Sequence, residues 1–219
     1  MQLGLNRWDW RSPSVFAAEV AEAESIGFSH AFLPVNPLAV PDPYVLLAAG
    51  VTATTAMTFG PLIETPVLRP PAVAAGSIAT VDALGPGRTM LTYGIGDTAV
   101  RWLGHRPARV AELEAAVTEA RHLLAGDSID VGAVAPARLR HARPVPVWVA
   151  AGGPRTLPDD VAASFSFCGS PVDIADRLRA VRAAVPMASI VVPHPVPTPR
   201  FGTSIDFVRW FCDEVATRV

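Results

Sequence analysis

Short, continuously apolar segments alternate with helix-patterned stretches along this 219-residue chain, and that alternation limits the fold more than any other feature. Leu3 and Leu5 open a strand. Ser12 and Pro13 supply an N-cap and first-turn proline ahead of Phe16, Val20, Ala23 and Ile26 at helical spacing, and Gly27 stops that helix. Ala31 to Val35 reads as a second strand, Tyr44 to Thr54 as a helix and Met57 to Ile63 as a third strand. Pro71 to Ala83 reads as a helix, and Thr89 to Ile95 as a fourth strand behind the turn Gly85-Pro86-Gly87. Val110, Leu113, Val117, Ala120 and Leu124 form one stripe of a long helix that Gly126 ends. A loose stretch from Asp127 to Arg143 leads into a fifth strand, Val145 to Ala150. Ser170 and Pro171 then start a helix with the stripe Ile174, Leu178, Val181 and Val185, followed by a sixth strand, Ser189 to Val192, and a terminal helix from about Ser204 to Arg218. Strands apolar on both faces need cover on both, so the pattern predicts an α/β fold with a parallel sheet, either doubly wound or closed into a barrel. A complete (β/α)8 barrel takes roughly 250 residues, so the expectation is an open sheet or an incomplete barrel.

Composition narrows the chemistry. The 18 basic residues are all arginine, which removes Schiff-base, pyridoxal-phosphate and P-loop lysine mechanisms. A net charge of -2 provides no field for a nucleic-acid backbone or an anionic membrane, so a small molecule is the expected partner. Cys168 and Cys212 fit no metal spacing, the five histidines form no ligand pair, and no Gly-x-Ser-x-Gly elbow occurs; zinc and serine-hydrolase readings fail and no metal is expected. Met1 leads into a strand rather than a basic, apolar leader, and Pro43 to Ile63 is interrupted by threonines, glycines and proline. A cytoplasmic location is the expectation.

Three motifs carry candidate chemistry. Gly94 to Ala99 fits G-x-G-x-x-A after a strand, which suits either a dinucleotide turn or a structural turn; three strands precede it, whereas the dinucleotide motif ends the first. Gly152-Gly153-Pro154-Arg155-Thr156 offers bare backbone amides, a hydroxyl and a guanidinium, which suit a phosphate as well as a tight turn. Arg69 stands before a helix start, where the helix dipole favours an anion, so it needs a ligand or an ion pair with Glu64 or Asp97. Glu64 itself lies where an apolar strand ends, the place where parallel folds put chemistry, and is a candidate catalytic residue. Trp8 and Trp10 suit either a planar ligand or a core position, and His105 sits in a loop after the fourth strand.

Met57 to Pro71 (MTFGPLIETPVLRPP), Ala79 to Gly96 (ATVDALGPGRTMLTYGIG) and Val147 to Leu157 (VWVAAGGPRTL), in that order and spacing, resemble the luciferase-like monooxygenase superfamily, in its coenzyme F420-dependent, methylenetetrahydromethanopterin-reductase-like branch. Ala21 to Phe28 and Phe165 to Val192 are similar to that family's first helix and its last helix and strand. The resemblance implies a (β/α)8 barrel with coenzyme F420 or FMN at the C-terminal ends of the strands, usually in a dimer. It also implies an oxidoreductase acting on a small organic substrate.

By that resemblance, Leu62 and Ile63 fall where the family has a non-prolyl cis peptide against the ring, with Glu64 and Thr65 beside it. Gly152, Gly153, Pro154, Arg155 and Thr156 fall in its phosphate loop, and Asp97 at the acidic position near ring and substrate. Asn36 stands where F420-dependent relatives carry a proton-shuttling histidine; an amide hydrogen-bonds but does not titrate near neutrality. From Leu157 the chain jumps to the family's last elements, so a barrel of about six or seven strands in one domain is expected. Shortened family members include a flavin-binding protein and a luciferase subunit without an active site. A non-catalytic cofactor-binding protein or partner subunit is therefore the alternative to an enzyme, in a homodimer or in a heterodimer with a related subunit.

Overall fold

The computed structural model describes residues 2–6, 12–130, 132, 135–150, 170–184, 189–193 and 204–219. The strands are β1 (Gln2–Asn6), β2 (His30–Leu33), β3 (Thr58–Pro61), β4 (Leu91–Tyr93), β5 (Ser128–Ile129), β6 (Ala137–Arg138), β7 (Val147–Val149) and β8 (Ser189–Pro193). The helices are α1 (Pro13–Ser25), α2 (Pro43–Ala53), α3 (Pro71–Leu84), α4 (Thr98–Trp102), α5 (Val110–Ala125), α6 (Pro171–Ala184) and α7 (Ser204–Glu214). Each parallel connection needs a crossover, and the helices supply it.

One sheet runs β3-β2-β1-β8 and a second pairs β4 with β7, every pairing parallel. Parallel bridges from Phe59 to Thr89 and from Glu64 to Tyr93 join β3 to β4, so six strands follow one another side by side in the order β8-β1-β2-β3-β4-β7. Six-stranded, parallel and helix-covered among the described residues, this is the expected incomplete (β/α)8-type barrel. Because all six point the same way, the C-terminal ends of the strands lie at one end of the barrel.

Alternation divides the side chains. Leu3, Leu5, Ala31, Leu33, Phe59, Leu91 and Tyr93 point outward into one core with Phe16, Val20, Leu47, Ile78, Leu113, Val117 and Leu124 from the helices. The opposite faces of the strands present Asn6, Phe32, Gly60 and Thr92 inward, Asn6, Phe32 and Gly60 being successive register partners. Val110, expected in the buried stripe of α5, is 77% exposed: it is the first helical residue, and the stripe begins at Leu113.

Local signals set most element ends. Ser12 accepts the Val15 amide ahead of α1, Asp42 accepts the Tyr44 amide ahead of α2, and Gly126 closes α5 in the left-handed region at φ 84°. The stretch expected to be loose contains the antiparallel pair β5–β6, and α4 fills part of the loop between β4 and α5. Both are too short to leave a periodic trace. β3 ends at Pro61, two residues before the expected limit, because the chain then leaves the ladder for a bulge.

Glu24, near the end of α1, accepts the backbone amides of Thr55, Ala56 and Met57 and the Thr55 hydroxyl at 2.7–3.2 Å, fixing the turn into β3. Partial burial pushes this carboxyl up, and the Ala56, Thr55 and Met57 amides more than offset that, leaving it below the ordinary glutamate value of 4.5. A depressed carboxyl contributes stability above its unfolded value, lost as pH falls through the folded one. Glu24→Gln is therefore expected to cost about 1 kcal/mol at pH 7 and almost nothing in acid, measured by urea unfolding across the pH range.

Candidate active site

The end of the barrel where the strands finish is built around a bulge. Between the Phe59–Thr89 and Glu64–Tyr93 bridges, β3 and its continuation carry one more residue than β4. An extra residue in one strand reverses which face the following side chains present. Glu64 thereby points outward beside Tyr93. The Leu62–Ile63 peptide within this segment is cis. The Leu62 amide donates to the Leu33 carbonyl at 2.7 Å, and the Glu64 amide to the Thr92 carbonyl at 2.8 Å, so the bulge is tied to both neighbouring strands.

The turn after β4 is shaped to receive it. A Cβ on Gly94 would run into Cδ1 of Ile63, so the bare backbone there lets Ile63 lie across the strand end. Gly96 is left-handed at φ 76° beside Thr65, whose hydroxyl donates to the Ile95 carbonyl at 3.3 Å. Gly94 of the G-x-G-x-x-A motif is thus accounted for by packing against the bulge, and Gly96 by its left-handed turn, where a Cβ would also meet Val100 and Thr65.

Glu64 is fully buried. Its Oε2 accepts the Tyr44 hydroxyl at 2.9 Å and lies 3.3 Å from Nε of Arg69, while Oε1 accepts the Thr65 amide at 3.0 Å. Arg69 donates through Nη2 to Asp42 at 2.7 Å and stacks its guanidinium 4.6 Å from the centroid of the Tyr44 ring. The cation before α3 is therefore carried by Glu64 and Asp42. Of its two expected partners, Asp97 pairs instead with Arg101, at 2.5 Å. Burial pushes the Glu64 carboxyl up, and the Thr65 amide, the Tyr44 hydroxyl and Arg69 only partly reverse it. Burial first, then the Glu64 charge, holds the Tyr44 hydroxyl well above its ordinary value, and the same two causes raise Tyr93.

Four buried polar atoms have no protein partner among the described residues: Asn6 Oδ1, Asn36 Nδ2, Thr92 Oγ1 and the Tyr93 hydroxyl. Leaving each unpaired costs about 1–3 kcal/mol, so a set of them calls for a ligand or ordered water. Asn6 ends β1 and Thr92 faces inward on β4. Asn36, 3% exposed, lies in the loop after β2, with Oδ1 accepting the Leu38 amide at 3.2 Å. That bond leaves its NH2 as the free end.

The sequence-derived residues fall into three groups. Ile63, Glu64 and Thr65 meet Gly94 to Gly96 directly, Leu62 is tied to Leu33 on the other side, and Asn36 and Asp97 lie in loops at the same end of the barrel, Asp97 being exposed. Gly152 to Thr156, expected to hold a phosphate, together with Trp8 and Trp10, lie outside the described residues. β7, which precedes that loop, remains bonded to β4 through the Ala150 amide and the Tyr93 carbonyl at 2.8 Å. His105 lines a cavity of about 400 Å³ with Pro66, Val67, Arg106, Ala108 and Glu112. Sequence reasoning missed Asp42, Tyr44, Thr92 and Tyr93. The Asp42-Pro43 helix start was the one local signal; the other three read as ordinary helix or strand residues.

Residues 11–158 match the family model described as luciferase-like monooxygenase. The chain belongs to that family. A curated relative from Intrasporangium calvum, an F420-dependent glucose-6-phosphate dehydrogenase, is 34% identical over 164 residues, covering 65% of this chain and 49% of the relative. This family member thus spans about half the length of the curated relative it matches. The coenzyme F420-dependent tetrahydromethanopterin reductase of Methanopyrus kandleri superposes with a TM-score of 0.77 over 99% of this chain and 98% of that one, at 15% identity. The oxygenating constituent of 3,6-diketocamphane monooxygenase from Pseudomonas putida, solved with FMN, gives a TM-score of 0.57 over 89% of this chain and 65% of that one, at 16% identity. These superpositions establish the luciferase-like barrel fold. No helix among the described residues is long and apolar enough to cross a membrane.

Proposed function

We propose that this chain is an oxidoreductase that holds coenzyme F420 or FMN at the C-terminal ends of its strands and uses it on a small organic substrate. The observation that carries the reading is the set of three unpaired buried polar atoms, on Asn6, Asn36 and Thr92, at that end. Asn36 offers donors, Asn6 an acceptor and Thr92 a hydroxyl that does either, which suits the alternating donors and acceptors along the edge of a flavin or deazaflavin ring. The names of the curated relative and of the two solved structures, F420-dependent in two cases and FMN-bound in the third, support the same pair of cofactors.

In this reading Leu62, Ile63 and Thr65 meet the ring, and Gly152, Gly153, Pro154, Arg155 and Thr156 take the phosphate. When bound, the cofactor supplies the redox chemistry, and the protein supplies position and electrostatics. Asn36 donates its amide hydrogens to an acceptor atom and cannot take up a proton. Asp97, exposed and paired with Arg101, is the carboxylate that this reading places near ring and substrate, and activity is expected to depend on it more than on Asn36. Glu64 bonds to Tyr44, Thr65 and Arg69, so its part is to hold the bulge. Assembly as a dimer, with itself or with a related subunit, belongs to the same proposal, and Val45 on α2 and Val73 on α3, 55% and 49% exposed, offer apolar surface for it.

Titration of FMN and F420 against the wild type and Gly153→Glu, followed by fluorescence, tests the reading. The wild type is expected to bind one of the two, and the variant to bind it at least roughly tenfold more weakly, a difference of about 1.4 kcal/mol. A carboxylate at that turn both crowds and repels a phosphate. Equal affinity in the two proteins removes the phosphate assignment. A wild type that binds a cofactor but turns over no substrate points to the non-catalytic subunit.

A further inference from the structure

We propose that Arg69 and Tyr44 are positioning residues which, with Asp42, clamp Glu64 and through it hold the Leu62–Thr65 bulge where it meets the cofactor ring. The proposal rests on the cofactor reading above and gives Arg69, Tyr44 and Asp42 a part in cofactor binding.

Three elements converge on one guanidinium. Asp42 caps the start of α2, Glu64 belongs to the continuation of β3, and Arg69 immediately precedes Pro70 and α3. Arg69 joins them through the 2.7 Å bond to Asp42, the 3.3 Å approach to Glu64 and the stack on Tyr44. Tyr44, itself in α2, closes the circuit by donating to Glu64 at 2.9 Å. A planar guanidinium satisfies two carboxylates and a ring face at once; an ammonium has neither the fork nor the plane. The far side of Glu64 is backbone: its Oε1 accepts the Thr65 amide, and its own amide and carbonyl bond to Thr92 and Gly94. A shift of the carboxylate therefore moves the peptide units of the bulge, and with them Ile63 over Gly94. Buried polar networks with every member paired hold one geometry and lose it when one member goes.

The position before α3 also explains why this cation is tolerated. The helix start disfavours a positive charge, and two carboxylates from other elements more than balance it. A merely stabilising ion pair would need only one. The duplication ties both helix starts to the bulge.

The test compares the wild type with Arg69→Lys, Tyr44→Phe and the double variant, titrated with FMN and with F420 and read by fluorescence and by induced circular dichroism of the bound ring. Tyr44→Phe removes one hydroxyl and leaves the ring beneath the guanidinium, so it serves if Arg69→Lys does not fold. Either single variant is expected to weaken the cofactor that the wild type binds by roughly tenfold and to alter the induced dichroism at saturation. The double variant is expected to fall short of the product of the two, because both act through Glu64. Lower melting midpoints with unchanged affinity and dichroism would reduce the clamp to ordinary stabilisation and overturn the proposal. Binding of neither cofactor by the wild type overturns the cofactor reading and the clamp with it, whereas tight wild-type binding with indifferent variants overturns the clamp alone.

Discussion

Gly60→Ala is expected to lower the melting midpoint by roughly 6–12 °C. Gly60 sits inside the barrel between β2 and β4, and a Cβ there would meet both Cγ and the backbone carbonyl oxygen of Met90 at 2.7 Å. The side chain can turn away; the carbonyl cannot, because β4 is held by the Met90 amide to the Phe59 carbonyl on one side and by β7 on the other. Overpacking of this kind costs about 3 kcal/mol, and a chain of this size loses about 2–4 °C per kcal/mol. Differential scanning calorimetry measures it. Gly94→Ala is the instructive control: its Cβ would meet the far end of Ile63, which can change rotamer, so the midpoint should fall less. A midpoint for Gly60→Ala indistinguishable from wild type would mean that β3 and β4 are not packed as described.

Arg69→Ala is expected to destabilise the protein by about 2–3 kcal/mol at pH 7 and by progressively less toward acid. Removing one partner of a buried ion pair costs about 3–5 kcal/mol; the figure is smaller here because the Arg69 side chain is 23% exposed and solvent screens it. The sign follows from Glu64. Burial raises its carboxyl above the ordinary 4.5, and Arg69 is among the groups that pull it back, so removing the guanidinium raises it further. A raised acid stabilises the fold below its unfolded value, and that contribution is lost as pH rises through the folded one. The deficit of the variant therefore grows between acid and neutral pH, the opposite of the trend in the wild-type fold that Glu24 would produce alone. Tyr44, Tyr93 and Asp42 are the other ionisable groups that act on Glu64. Urea unfolding of Arg69→Ala in wild-type and Glu64→Gln backgrounds isolates the effect, since the Glu64→Gln background should show a deficit nearly independent of pH above the ordinary glutamate value of 4.5. A pH-dependent deficit that persists unchanged in the Glu64→Gln background would mean that Glu64 does not carry the linkage.

What could be read in advance were features with a local cause. Ser12 caps α1 because its side chain reaches an amide three residues on, Gly126 ends α5 because glycine accepts the left-handed turn cheaply, and the inward stripe of Leu113, Val117 and Leu124 follows from helical period. The alternation implied a parallel sheet covered by helices but left open a doubly wound sheet or a barrel, and the side-by-side order of the strands came from the structure. The motif Gly94-x-Gly96 was visible too, but its reason was not: one glycine yields to Ile63 and the other turns beside Thr65, both from another strand.

Tertiary structure alone decided the register and the partners. One extra residue between Pro61 and Glu64 sends the Glu64 carboxylate into the helix layer, where Tyr44 and Arg69 receive it, and no periodic pattern records a bulge that short. Asp42 and Arg69 stand 27 positions apart and meet because α2 and α3 start side by side. Asn36 carries the same side chain in any fold, yet which of its ends is free depends on the Leu38 amide that occupies the other. Helix caps and periodicity are short-range and leave their trace in neighbouring residues, whereas the site depends on contacts between segments that only chain packing brings together.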